Sequence, residues 1–402
     1  MNLILVSLIL VSGVLSPENP KTAQSPIHYT NNPRGALKLY LSGEVADQKP
    51  AGVYHGNPQF IRSSDAACLK PDGKWRLAPT DIPRKHCAEA KPSLCGLLIE
   101  GQQTNYIKNN YFAADTSNWT PNGATLIRVT DKNPPFSSTA LKIVTNPGSG
   151  TYQGASLPKF GAGTKWHFYA YLKDDDGTTP IQHFLGGSAG WTYTGVQTIL
   201  TPNWTRYSVS YIETGNETGN GGVAEYDNSS NSEQWYFTLG QAVPNEIPST
   251  IIPNSGATAV TRAAESLAFR TDGNISAQSG RLEICFFTEY DYNAITAATG
   301  NPMIFYATDD FKLYFDSADD KFVFAAGGQS VSLPTAFVKE SEQCLTAIWR
   351  GGYNLMLRLN DSAWQLSQNP YTPPTLDPLL YIASDPAPAN HLYGAITKLE
   401  VR

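Results

Sequence analysis

Glu289 and Asp291, flanking Tyr290 in a strand-like run, come closest in this 402-residue chain to paired carboxylates. Alternate residues of a strand share a face, and two carboxylates so placed can serve as acid and nucleophile in glycoside hydrolysis. The strand pattern for that chemistry is E-x-D-x-(x)-E, whereas here Asn293 and Ala294 stand where the second Glu should fall. A hydrolase lacking one of its two carboxylates lacks its acid or its nucleophile, so no catalytic residue is assigned. No H-E-x-x-H, P-loop or G-x-G-x-x-G sequence occurs. The chain is read as non-enzymatic.

Other polar groups invite ligands less directly. Asp174-Asp175-Asp176-Gly177 could offer oxygens to calcium, but adjacent carboxylates between two strands have the composition of a solvated turn. Asp316, Asp319 and Asp320 read the same way. The six His residues are isolated from one another in sequence, so no metal site is built from them. No cofactor is expected. Sugar binding on a sandwich needs flat aromatic faces with Asn, Asp or Gln around them. Trp191 and Tyr193, in the Gly-flanked GGSAGWTYTG, are the glycan-binding candidates, with a lid over the core as the equal alternative. Trp119, Trp166 and Trp235 are expected in the core.

The elements that must position these residues are strands. Charged residues make up only 16% of the chain, while 33 Gly, 28 Pro and 21 Tyr leave no long helix-favouring stretch. Strand signals run through TLIRV, ALKIV, TKWHFYAYLK, IQHFLGG, RYSVSYIE and QWYFTLG. They resume in RLEICFFTEY, MIFYAT, KLYFD, KFVFAAGG, CLTAIWR, YNLMLRLN, LLYIAS and YGAITKLEV. From Lys165 to Lys173 the alternation places Trp166, Phe168, Ala170 and Leu172 on one face, and His167, Tyr169, Tyr171 and Lys173 on the other. At 41% hydrophobic residues, the chain can fill two or three cores of about 100 to 150 residues each. A net charge of −6 without basic clusters leaves nothing to neutralise phosphates, so nucleic acid is excluded as a partner.

Residues 1 to 16, MNLILVSLILVSGVLS, are apolar but too short for the roughly 20 helical residues that span a bilayer. They read as an assembly arm buried against a partner, centred on Leu3, Ile4, Leu5, Val6, Leu8, Ile9, Leu10 and Val11. A signal peptide, lacking a preceding Lys or Arg, and a membrane-resting segment are the alternatives. Five cysteines are too few for a disulfide scaffold, and their odd number leaves at least one unpaired or joined to another chain. Cys285 and Cys344, in strand-like runs, read as buried thiols. Cys68, Cys87 and Cys95 lie in a Pro-rich stretch where a disulfide would contribute about 2–4 kcal/mol.

Two blocks carry a family resemblance. Cys95-Gly96-Leu97-Leu98-Ile99-Glu100-Gly101-Gln102-Gln103-Thr104-Asn105, followed by Asn118-Trp119-Thr120, resembles the segment preceding a carbohydrate-binding-module-like jelly roll in tailed-phage fibre and head-spike proteins. Gly240-Gln241-Ala242, Ile251-Ile252-Pro253 and Val260-Thr261-Arg262-Ala263-Ala264-Glu265 resemble the string that ends the same jelly roll. The final block is similar, in pattern more than in motif, to a concanavalin A-like or laminin G-like sandwich.

The expected architecture is therefore all-β, with tandem β-sandwiches: an arm and linker at 1–34, a small β-rich docking region at 35–94, a jelly roll at 95–266 and a concanavalin A-like sandwich at 267–402. The resemblance implies a virion structural protein, such as a capsid decoration, head fibre, or tail or neck appendage. Its implied partners are capsid, neck or tail proteins of the same particle, further copies of itself, and host cell-surface polysaccharide. A secreted or surface glycan-binding adhesin is the alternative, and a sandwich-fold glycosidase the third reading. Laminin G-like domains often hold calcium, but no Ca2+ ligand set can be aligned here.

Overall fold

The computed structural model describes residues 37–40, 51–53, 56, 58–157, 163–185, 198–212, 219–225, 233–244, 247, 249–291, 300–334, 337–387 and 390–402. These residues form strands without helices, in antiparallel sheets, as the sequence reading expects. The assembly arm, Trp191 and Tyr193 lie outside the described residues.

One sandwich pairs a nine-stranded with a seven-stranded sheet. The former runs Ala51–Val53, Leu37–Tyr40, Gly394–Val401, Ser279–Thr288, Gln343–Arg350, Asn354–Leu359 and Gln365–Pro370. Cys95–Ile99 adds to the Gly394 end of its third strand, and Arg84–Cys87 adds to Cys95–Ile99. The seven-stranded sheet runs Gln329–Leu333, Lys321–Ala326, Phe311–Asp316, Met303–Thr308, Leu379–Ile382, Ser266–Arg270 and Gln59–Ile61. Strict alternation does the sorting: in Phe311–Asp316 the side chains of Phe311, Leu313 and Phe315 are buried, and Lys312, Tyr314 and Asp316 are half-buried on the other face. The core between the sheets is aromatic, with Phe311 edge-on to Trp349 at 5.1 Å and Phe315 edge-on to Phe337 at 4.9 Å.

The jelly roll is built on one continuous eight-stranded sheet folded over on itself. Its order is Thr198–Ile199, Pro180–Leu185, Gly219–Glu225, Ala140–Leu157, Gln234–Pro244, Lys165–Lys173 and Thr205–Ile212, with Thr120–Val129 also on Ala140–Leu157. The 18-residue strand makes the fold-over possible: Leu141–Val144 pairs with Gln234–Phe237, and Gly150–Leu157 pairs with Gly219–Ala224. Register breaks in this strand bend it between the two halves. Trp119, Trp166 and Trp235 all lie in the core, with Trp119 edge-on to Phe237 at 4.6 Å.

The pairings cut across the expected domain limits. Residues 35–94, read as a separate docking region, supply strands to both sheets of the C-terminal sandwich: Leu37–Tyr40 pairs with Lys398–Val401, and Gln59–Ile61 pairs with Ser266–Ala268. Cys95–Ile99, read as the start of the jelly roll, belongs to the same sandwich. The jelly roll is thus an insertion, entered and left through a two-stranded neck in which Gln103–Asn105 pairs with Val260–Arg262. Local pattern could not show this, because a short strand reads alike whichever sheet completes it.

The cysteines also correct the sequence reading. Cys285 and Cys344 are not thiols: they face each other across adjacent strands with Cα atoms 4.0 Å apart and form a disulfide. Cys87 bonds Cys95, and Cys68 stays free and buried.

Candidate functional site

The two sequence blocks 95–105 and 240–265 meet in space. Gly96 brings them close to the C-terminal strand, since a Cβ there would lie 2.6 Å from the Ile396 carbonyl oxygen. Its strand, Cys95–Ile99, ends beside Glu100, whose carboxylate is buried between Arg84 and Arg262, each 2.8 Å away. Glu265, three residues past the neck, accepts Arg62 at 2.8 Å and is held by two nitrogens of Arg84. All three arginines and both glutamates are at most 2% exposed.

Burying five charges is costly unless every partner is present. Here the third cation is balanced by backbone carbonyls. Arg62 Nη2 donates to the carbonyls of Ala78 and Pro79, and its Nε donates to that of Ser64. Arg262 Nη2 donates to the carbonyl of Gly101, while its Nε is buried without a partner among the described residues. Thr250 donates its amide and its hydroxyl to Glu100. Burial pushes the Glu100 carboxyl up, but the charges of Arg262 and Arg84, with the bonds from Thr250, outweigh it and hold the group at about 2. Glu265 is likewise held below the ordinary glutamate range, where Arg84 and Arg62 overcome desolvation.

Amides continue the junction. Asn105 donates to the carbonyl of Ile252 and accepts from the backbone of Ile107 and Ala242. Gln241 accepts from the Ile252 amide and donates to Ser249 and Tyr169. Glu100, Asn105, Gln241, Thr250, Ile252, Arg262 and Glu265 come from the two blocks, while Arg62 and Arg84 come from the region that precedes them. Their shared chemistry is that of a buried joint.

The docking region completes it. The hairpin Ala66–Leu69 with Trp75–Ala78 lies on the jelly-roll face formed by Tyr169, Tyr171, Leu239 and Val243. Trp75 Nε1 donates to the Tyr171 hydroxyl at 2.8 Å, and that hydroxyl donates to Glu89 at 2.7 Å. The face of Lys165–Lys173 that carries Tyr169 and Tyr171 is therefore covered. Period-two alternation finds two faces but not what each one meets.

The remaining candidates are dispersed. Glu289 turns to His86 Nε2 at 2.9 Å, buried, while Asp291 accepts the Lys339 amide at 2.8 Å, so the two carboxylates face no common space. The charge and bond of His86 overcome burial and keep the Glu289 carboxyl low. Asp174 accepts the amides of Thr178 and Thr179, both at 3.0 Å, as a turn residue does. Asp175 pairs with Lys132 and Lys173. Among the described residues no group of three His, Cys, Asp or Glu side chains could hold a metal ion.

No family model and no curated protein matches the sequence. Among solved structures, the chain is similar to the CBM22-1 xylan-binding domain from Paenibacillus barcinonensis Xyn10C, at 10% identity over 35% of this chain and 92% of that one, with a TM-score of 0.29. The CBM22-1-CBM22-2 tandem domain from the same source is 9% identical over 75% of this chain and 98% of its own, at 0.30. Domains LG4-5 of the mouse laminin alpha1 chain are 9% identical over 64% and 88%, at 0.24. At such identities and TM-scores these likenesses carry no argument about what the chain binds.

Proposed function

We propose that the chain is a non-enzymatic structural component of a tailed-phage virion, docked through its N-terminal region and displaying two sandwiches as one stiff body. The observation that carries this reading is the junction. The blocks resembling phage fibre and head-spike proteins are spent on welding an inserted jelly roll to the sandwich that receives it. The non-enzymatic part draws support from Glu289 and Asp291, whose carboxylates are each engaged elsewhere.

Particles purified by density should contain the full chain in stoichiometric amount by mass spectrometry, with antibody labelling at one fixed place on the virion. Deleting residues 2 to 16 should abolish incorporation without changing the melting temperature of the remaining chain. Protein found only free in the lysate would overturn the virion reading. Particles that incorporate the truncated chain would overturn the docking arm alone. Glycan contact through Trp191 and Tyr193 predicts that replacing both with Ala weakens cell-surface binding at unchanged melting temperature.

A further inference from the structure

We propose a second, independent site: a neutral-sugar subsite in the cleft at the end of the seven-stranded sheet, with Tyr314 as its stacking platform. The cleft has a volume of about 430 Å³ and is lined by Asn301, Met303, Lys312, Tyr314, Asp316 and Asn390, among others. That is within the range of about 300–1,000 Å³ typical of small-molecule sites.

The strand builds the platform. Because Phe311, Leu313 and Phe315 fill the core, Lys312, Tyr314 and Asp316 must share the opposite face at two-residue spacing. Met303 is Tyr314's direct cross-strand partner and supplies an apolar floor beside the ring. The Tyr314 hydroxyl has no partner among the described residues. Lys312 Nζ stands 5.8 Å from the ring centroid, within reach of a hydroxyl on a molecule resting there.

Loops supply the amides. Asn301 Oδ1 accepts the amide and the hydroxyl of Ser317, at 3.1 and 3.3 Å, which commits its oxygen and leaves its NH2 without a partner among the described residues. Asn390 is the reverse: its NH2 donates to Asp385 at 2.6 Å, and its side-chain oxygen, beside Gly300, has no partner among the described residues. Gly300 has φ +77°, and a Cβ there would lie 2.6 Å from Asn390 Oδ1.

The set discriminates between ligand classes. Lys312 stands 3.9 Å from Asp309 and Asp316 stands 4.0 Å from Lys321, so each charge on the lining has its own counter-ion and the cleft favours neither an anion nor a cation. An aromatic wall with donors and acceptors around it fits a ring that has an apolar C–H face and a hydroxyl rim, which describes a neutral pyranose. A lipid or peptide side chain would leave those polar groups unmatched.

The test is native electrophoresis of the full chain through gels cast with dextran, barley β-glucan, xylan or galactomannan, and separately with alginate. Retardation is expected in at least one neutral gel. Tyr314→Ala should weaken it about tenfold or more, Tyr314→Phe should keep it within about threefold, and Asn301→Ala should weaken it without altering the melting temperature. The Trp191→Ala, Tyr193→Ala double variant should be retarded like the parent. No retardation in any neutral gel, retardation in alginate alone, or equal retardation of the parent and Tyr314→Ala would each overturn the proposal. Should Tyr314→Ala fail to fold, unchanged retardation of Asn301→Ala would do the same. None of these results bears on presence in the virion.

Discussion

The junction at Glu100 and the cleft at Tyr314 are both polar, yet their groups are used in opposite ways. At the junction the carboxylates of Glu100 and Glu265 are saturated by arginines and by Thr250, and water has no access. In the cleft Tyr314, Asn301 and Asn390 each keep one bonding group without a partner among the described residues. A buried polar cluster is tolerated when nearly all of its groups are partnered, as at the junction, where Arg262 Nε is the exception among the five charged side chains, whereas a binding site must be incomplete to be useful. Charge density alone would have pointed to the wrong one of the two.

The sharpest way to break this contrast is Glu265→Ala, which leaves Arg62 in the interior without a carboxylate and Arg84 with Glu100 as its one remaining carboxylate. A loss of about 3–5 kcal/mol in urea denaturation is expected; a loss below about 1 kcal/mol would mean the junction is not a weld. The same groups set the acid limit. Glu100 is held at about 2 against an ordinary 4.5, so its contribution is fully present above about pH 4.5 and lost as pH falls toward 2. Melting temperatures measured from pH 6 to pH 2 should fall across that window, and less steeply in Glu100→Gln.

Disulfides offer an intermediate effect. Cys285–Cys344 closes a separation of 59 residues and Cys87–Cys95 one of 8, so loop-closure entropy assigns them about 4 and about 2.5 kcal/mol. Denaturing Cys285→Ala/Cys344→Ala and Cys87→Ala/Cys95→Ala variants should reproduce that order. Smallest of all, Tyr314→Ala should change stability by less than about 0.5 kcal/mol, since its ring faces the cleft and not the core. A larger loss would recast Tyr314 as packing.

Strand existence was legible wherever alternation was strong. KLYFD and KFVFAAGG are the cross-strand pair Phe311–Asp316 and Lys321–Ala326, with Asp316 opposite Lys321. The blocks 95–105 and 240–265 were legible as special, but not as partners, because the neck joins residues more than 150 positions apart. The cleft was not legible at all. Asn301 and Asn390 belong to no motif, and only chain folding brings them to the cleft that Tyr314 lines.

Composition and period-two patterning by themselves determined that this chain is all-β, because they encode which faces exclude water. What covers each face was decided only by tertiary structure. Tyr169 and Tyr171 share by alternation the face opposite Phe168 and Ala170 and are buried under Leu69 and Trp75, while Leu37–Tyr40, Gln59–Ile61 and Cys95–Ile99 add to a sandwich whose later strands begin at residue 266. The physical reason is that hydrogen-bonded edges and apolar faces are satisfied by any complementary partner, and sequence distance does not enter that energy except through the entropy of closing the loop.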